Sequence, residues 1–230
     1  MTINHLTPPG FFRRRGPKGR IVFEPSEEVS LIHKEFLMGI GKVHFPDQCD
    51  CVRPHLKNRF FLKIDLRDAY DSVSAFDAEV ILDLPFGDDW VYFFHQNGGL
   101  IQGAPASPAL FNLYCGEMLD RYLKEYSYVN CLTYTRYVDD LFFSSQGRIG
   151  KKRRWAIRDA VRKGGFLVNE KKTMLVDNKH ANITYVGMKI YRGIARPTRE
   201  FLVKLRDAEE GSHKHKGLLE WKKRVLAVNT

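Results

Sequence analysis

The chain has 230 residues, 43% of them hydrophobic and 28% charged, a balance that excludes a disordered, collagen-like or coiled-coil protein. With 37 Lys and Arg against 27 Asp and Glu the net charge is +10, so a polyanion is the first partner to expect. No apolar run nears the ~18–20 residues of a membrane helix, and the start (Met1 to His5) lacks the basic-then-apolar order of a signal peptide, so no membrane partner and a cytoplasmic location are expected. One compact domain, or two or three small lobes sharing a core, suits this length.

Residues 1–25 are rich in Pro, Gly and Arg and read as a basic loop feeding a strand, Ile21 to Phe23, that ends at Pro25. Ser26 followed by Glu27 and Glu28 marks a helix start, with Val29, Ile32 and Phe36 at helical spacing and an end near Gly39 to Gly41. Cys49 and Cys51, flanked by His44 and His55, can be drawn as a zinc site. A C-x-C with no second cysteine pair lacks the structural-zinc spacing, and buried or half-buried thiols are preferred; four cysteines at irregular positions also fit a reducing compartment. Phe60 to Leu66 reads as a buried strand that carries Asp65 near its end.

Gly98-Gly99 signals a loop, and Ser107-Pro108 reads as an N-cap with proline at the first helical position. The helix it starts places Leu110, Tyr114, Met118 and Tyr122 on one face. Leu132 to Ser145 reads as two short strands with Asp139 and Asp140 at the turn between them. Lys151 to Lys163 is a basic helix closed by Gly164-Gly165. Two strand-like stretches, Met174 to Val176 and Ile183 to Ile190, precede a weakly amphipathic helix around Leu218 to Val228.

An aspartate at a strand end and two at a hairpin turn have a physical reason to be read together. Buried carboxylates repel one another unless a cation neutralises them, so converging aspartates point to a hard divalent metal bound through oxygen. Two such ions can activate a hydroxyl and hold a leaving pyrophosphate. Asp88-Asp89 serves as an internal control: after Gly87 it reads as a solvated turn.

At this point the sequence resembles the reverse transcriptases, and among them the bacterial retron-type enzymes. Tyr137-Val138-Asp139-Asp140 is similar to the YxDD box, with Val138 where alanine is more usual. Ile64 to Tyr70 resembles the first metal-binding motif, Gln102 to Pro108 with Asn112 resembles the QGxxxSP segment, and Gly165 to Asn169 with Lys171-Lys172-Thr173 resembles the motif after the hairpin. The matches fall in the family's order over roughly residues 18 to 190. A histidine, His55, is all that the chain keeps of the Asn-Ala…His segment of retron-type enzymes.

The resemblance implies an α+β right-hand polymerase with an antiparallel palm sheet backed by helices: fingers over 1–59, palm over 60–190 with an inserted fingers segment 72–98, and a small thumb over 191–230. It implies RNA-directed DNA synthesis with two Mg²⁺ ions, Mn²⁺ substituting, held by Asp65, Asp139 and Asp140 as catalytic metal ligands. Tyr70 would gate against a ribose 2′-hydroxyl, the alternative being a core ring. Gln102, Lys18 and Arg20 would lie at the nucleotide, and Lys172 would donate a proton to pyrophosphate. Arg13, Arg14, Arg15, Gly103, Ser107, Tyr137, Tyr185 and Gly187 would face nucleic acid. The partners implied are an RNA template, the RNA/DNA hybrid and dNTPs, with a structured cognate RNA or an accessory protein in a retron or phage-defence setting. An RNA-dependent RNA polymerase and a silent RNA-binding scaffold are the competing readings.

Overall fold

The proline-flanked basic start folds as an antiparallel hairpin, β1 (Phe11–Arg15) with β2 (Ile21–Pro25), in which Phe11 and Phe23 point inward while Arg13, Arg14 and Arg15 are exposed. Ser26 then turns the chain into α1 (Glu27–Gly39), its hydroxyl accepting from the Val29 N–H at 3.3 Å as the sequence predicts. The structure, a computed structural model, describes residues 6–16, 19–84, 86–96 and 98–229. Further along come α2 (Gln48–Val52), a 3₁₀ turn at Arg53–His55, β3 (Phe60–Arg67), α3 (Ala75–Leu82) and a 3₁₀ turn at Gly87–Tyr92. Asp88 and Asp89 lie exposed in that second turn, consistent with their use as a control. Then follow α4 (Ser107–Cys115), a π-helical turn (Gly116–Asp120), α5 (Arg121–Val129), β4 (Thr133–Tyr137), β5 (Asp140–Ser145), α6 (Lys151–Lys163), β6 (Leu167–Val168) and β7 (Met174–Asp177). The chain ends with β8 (Ile183–Tyr185), β9 (Met188–Tyr191), β10 (Ile194–Pro197), α7 (Arg199–Arg206) and α8 (His213–Ala227).

These elements form two compact units. The first takes the chain up to Phe45, Arg67–Tyr122 and Ala160–Leu167; the second takes Pro46–Leu66, Leu123–Asp159 and the chain from Val168 on. In the first unit Phe11, Phe23, Val29, Ile101 and Ala104 make the core beneath the hairpin. Gly103 is required there: its φ is +109° and a Cβ would stand 2.4 Å from the Phe23 carbonyl oxygen. The close approach lets the Phe23 N–H donate to the Gln102 carbonyl at 2.8 Å, pinning the hairpin to the loop before α4.

The helix over 107–129 departs from the expected face. Leu110 and Tyr114 are buried, Met118 is half-buried and Tyr122 is exposed, while Leu119 and Leu123 are the buried pair. The π-helical turn supplies the reason: its wider loop adds one residue, so the apolar stripe slips by one position. Ser107 is also not the N-cap. Ala106 holds that position, and the buried Ser107 hydroxyl donates to the Ile101 carbonyl at 2.7 Å.

In the second unit the main sheet runs β4-β5-β3-β6, with β7 also paired to β3; the β4/β5, β5/β3 and β3/β7 pairs are antiparallel. Phe61 and Phe142 pack from one face of this sheet into a core with Cys49, Cys51, Val52, Tyr185, Met188, Ile190 and Val225. The single strand expected over Ile183 to Ile190 is a hairpin, β8 against β9, and β10 extends it. Both connections are two-residue turns with positive φ at each central residue, Val186-Gly187 (42° and 80°) and Arg192-Gly193 (47° and 76°), the geometry that suits the twist of paired strands. The C-terminal helix α8 belongs to this core. Trp221 Nε1 donates to Gln48 Oε1 at 2.7 Å, Arg224 pairs with Asp47, and Asn229 bonds both backbone groups of Ala195.

Candidate active site

Pleating decides which side chains share the site. Residues two apart on a strand point to one face, so Lys63 and Asp65 of β3 project together, and the register sets Asp65 directly opposite Asp140, the first residue of β5. Asp139 precedes it in the two-residue turn from β4. Val138, the first residue of that turn, has a φ of +54°, a left-handed conformation unfavourable for a β-branched residue. It is held there from two sides: Arg136 Nη1 donates to the Val138 carbonyl at 3.0 Å, and the Leu66 N–H donates to the Asp139 carbonyl at 3.1 Å.

Asp65 is buried and heavily bonded. Asn169 Nδ2 donates to its Oδ1 at 2.9 Å, and Lys172 Nζ reaches both carboxylate oxygens at 3.0 Å. The Asn169 N–H also donates to the Asp65 carbonyl at 2.8 Å, which locks the chain after α6 to the end of β3. Asp140 has its own cation, Lys63 Nζ at 3.0 Å. Burial raises the Asp140 carboxyl above the ordinary carboxylate range; Lys63 opposes the shift, and the charges of Asp139 and Asp65 add to it.

This chemistry fits a hard divalent cation. Three carboxylates share one end of the sheet, and each of two ammonium groups already sits where positive charge is demanded, the one on Asp65 chelated by both oxygens. Among the described residues no three carboxylate, imidazole or thiolate groups converge tightly enough to hold an ion as they stand.

The other predicted residues fall as follows. In the first unit, the Tyr70 ring stacks on Phe111 with centroids 4.8 Å apart and planes 6° apart, leaving it half-exposed. Gln102 is half-buried and Gly103 exposed in the loop pinned to Phe23. Arg14 pairs with Glu24 across the hairpin, Arg20 is exposed beyond it, and Lys18 lies outside the described residues. Ser107 is corrected as a nucleic-acid contact, since its hydroxyl is buried and committed to Ile101. In the second unit, Tyr137 is half-buried at the end of β4 and Gly187 is exposed at the β8–β9 turn. Tyr185 is corrected likewise: it has no exposure, and its ring stacks on Phe142 at 4.1 Å, so it builds the core.

Two site residues went unassigned by sequence reasoning, Lys63 and Asn169. The alternation of β3 could have flagged Lys63, two positions before Asp65; Asn169 lay in a motif that was quoted without a role. His55 gains one too. Its Nε2 meets Thr135 Oγ1 at 2.9 Å and its Nδ1 meets Ser144 Oγ at 2.6 Å. Thr135 Oγ1 donates onward to the Cys51 carbonyl and Ser144 Oγ accepts from Asn58, so the proton is assigned to Nε2. Burial pushes this imidazole down to about 3, keeping it neutral, and it ties the 3₁₀ turn to β4 and β5. Cys49 and Cys51 are buried thiols, Cys51 pushed up to about 11 by burial.

The hairpin turn carrying Asp139 and Asp140 is set against Asp65 on the neighbouring central strand, and the fold is that of the right-hand polymerases. The model of the family described as reverse transcriptase (RNA-dependent DNA polymerase) matches residues 29–190, and the chain belongs to that family. It is 28% identical over 194 residues to the retron Ec86 reverse transcriptase of Escherichia coli, covering 70% of this chain and 56% of that protein. To the retron Mx65 reverse transcriptase of Myxococcus xanthus it is 32% identical over 175 residues, covering 64% and 40%. The chain thus spans about half the length of the curated relatives it matches. Among solved structures it is similar to the foamy viral protease-reverse transcriptase in complex with RNA/DNA hybrid, with a TM-score of 0.59, 17% identity and coverage of 91% of this chain and 26% of that one. A second structure of the foamy viral enzyme, in complex with ds DNA, gives a TM-score of 0.56 at 19% identity over 92% of this chain and 35% of that one. Among the described residues no helix is long and apolar enough to cross a membrane.

Proposed function

We propose that the chain is an RNA-directed DNA polymerase that copies an RNA template from dNTPs. The observation that carries this reading is the register of Asp65 against Asp140 with Asp139 beside it. Asp65, Asp139 and Asp140 would hold two Mg²⁺ ions, with Mn²⁺ able to replace them. Bound there, the ions would supply charge that acidifies a primer 3′-hydroxyl and neutralises the leaving pyrophosphate. Asn169 orients Asp65, and Lys63 compensates Asp140. Lys172, with its side chain 54% exposed, is free to swing from Asp65 to a phosphate oxygen and deliver its proton.

In this reading residues 1–59 are fingers, 60–190 palm with the inserted segment 72–98, and 191–230 a small thumb. The stacked Tyr70 ring is the wall that rejects a 2′-hydroxyl, and Gln102, Arg20 and the arginines of β1 attract triphosphate and template. The net charge of +10 gives salt-dependent, largely sequence-independent affinity for an RNA/DNA hybrid. The names of the two curated relatives support a retron-like setting, in which a structured cognate RNA or an accessory protein would be the partner.

The test is primer extension on poly(rA)/oligo(dT) with Mg²⁺ or Mn²⁺, comparing dTTP with UTP. Extension by dTTP alone, lost when Asp139 and Asp140 are both changed to Asn, is the expected result. Equal use of UTP would point to an RNA-dependent RNA polymerase, and activity surviving in the double variant would remove the metal assignment.

A further inference from the structure

The far end of β5 from the carboxylates leads into a stretch with a charge pattern that the polymerase reading does not use. From Leu141 to Arg158 there is no acidic residue, while Arg148, Lys151, Lys152, Arg153, Arg154 and Arg158 are all cationic. Four of these fall in the first turn of α6, which has no acidic residue to offset them. The arrangement opposes the helix macrodipole, whose positive end and unsatisfied N–H groups favour anions there. Stability alone would not keep it.

The cations are also unspent. Arg158 is held by Glu170 through two bonds of 3.0 Å, but Arg148, Lys151, Lys152 and Arg153 form no ion pair among the described residues. Arg154 alongside them keeps a buried Nε–H with no acceptor. Lys151 and Lys152 are exposed, and at helical spacing of four and three residues they share their face with Trp155. That indole is 67% exposed, and no ring or cation covers its face among the described residues. A large aromatic ring open to water beside unpaired cations has the composition of a single-strand platform: phosphates meet the ammonium groups and a base stacks on the ring.

We propose that Arg148, Lys151, Lys152 and Trp155 form a second nucleic-acid contact, which takes a single strand by its phosphates and stacks one unpaired base on the Trp155 ring. The patch lies wholly in the second unit. The patch begins beyond Ser145, the end of β5, roughly 17 Å along that strand from Asp140 and so clear of the carboxylates. The contact would anchor an unpaired segment of template or of a structured RNA while synthesis proceeds elsewhere. It does not depend on polymerase chemistry.

The test is binding of a fluorescein-labelled 12-nucleotide RNA of mixed sequence to the full chain across a salt titration, for wild type, the Lys151→Gln, Lys152→Gln double variant, Trp155→Ala and Trp155→Phe. The double variant is expected to flatten the plot of log affinity against log salt by about 1.4, two contacts at ~0.7 each. Its melting temperature should not fall, because two charges unfavourable to the helix are gone. Trp155→Ala should weaken single-strand binding roughly tenfold with little effect on a blunt duplex, and Trp155→Phe should restore most of the loss. Unchanged affinity and slope in the double variant, or equal losses on single strand and duplex for Trp155→Ala, would overturn the proposal. If wild type extends no primer yet binds as expected, the contact stands and only the polymerase reading falls.

Discussion

Lys172 and Asn169 end on the same oxygen of Asp65, and they differ in what they can do next. An amide can only orient the carboxylate; an ammonium can also leave and carry a proton. Lys172→Ala should therefore lower the rate of nucleotide addition at saturating dNTP by about 10²-fold without abolishing it, in the range of general acid catalysis. The same variant removes the competing ammonium from Asp65 while Asn169 stays on Oδ1, so half-maximal activity should come at lower Mg²⁺, which a metal titration of single-turnover rates would read. Val138 makes the second prediction at this scale. A left-handed residue with a Cβ costs about 1–2 kcal/mol, and glycine gives part of that back through the entropy of its unfolded chain. Val138→Gly should thus stabilise the protein by up to about 1 kcal/mol in urea unfolding, while loosening the turn that aims Asp139.

At the scale of elements, His55 and Gly103 each hold pieces far apart in sequence. Neutral His55 is pushed down to about 3 and His33, buried in the first unit, to about 4, both mainly by burial. An imidazole whose folded pKa is depressed contributes stability that is complete above its unfolded value near 6.5. That stability is lost as pH falls through the folded value. Urea midpoints should therefore drop steadily from pH 6.5 towards pH 3, and His55→Gln should flatten part of that slope while lowering the midpoint at pH 7. Gly103→Ala drives a Cβ against the Phe23 carbonyl at a φ of +109°, and a loss of about 3 kcal/mol or more is expected in thermal or urea unfolding.

The same elements show what could be read from the chain alone. Asp65, Asp139 and Asp140 were legible because a short apolar run and a hairpin signal are local, while the pairing of β3 with β5 that sets Asp65 opposite Asp140 is long-range and only the fold reveals it. Tyr185 was misread because Val186 takes a positive φ that no propensity assigns to valine, which hid the hairpin and with it the burial of Tyr185. Ser107 was misread because its partner, Ile101, precedes a loop whose compact path only the fold reveals. The partners of His55 lie 80 and 89 residues away, beyond any local pattern.

For the whole molecule, the helix over 107–129 passes from the first unit into the second, and the π-helical turn lies ahead of that passage. Its extra residue acts like a frameshift in burial. Before it, the inward positions follow Leu110 and Tyr114; after it, Leu119 and Leu123. Deleting Glu117 would take out the added residue, so that an unbroken α-helix carries Leu119 and Leu123 at the next two four-residue steps after Leu110 and Tyr114. The deleted protein should therefore keep both leucines inward and melt cooperatively, whereas an alanine inserted after Glu117 would rotate the helix beyond it by about 100°, turn both leucines outward, and should bring hydrophobic-dye binding and loss of the cooperative melt. A neighbouring substitution such as Glu117→Ala keeps the phase and should leave the melt unchanged. Length, then, is a coded quantity in this helix: the chain tolerates a change of letter at that position far better than an added letter.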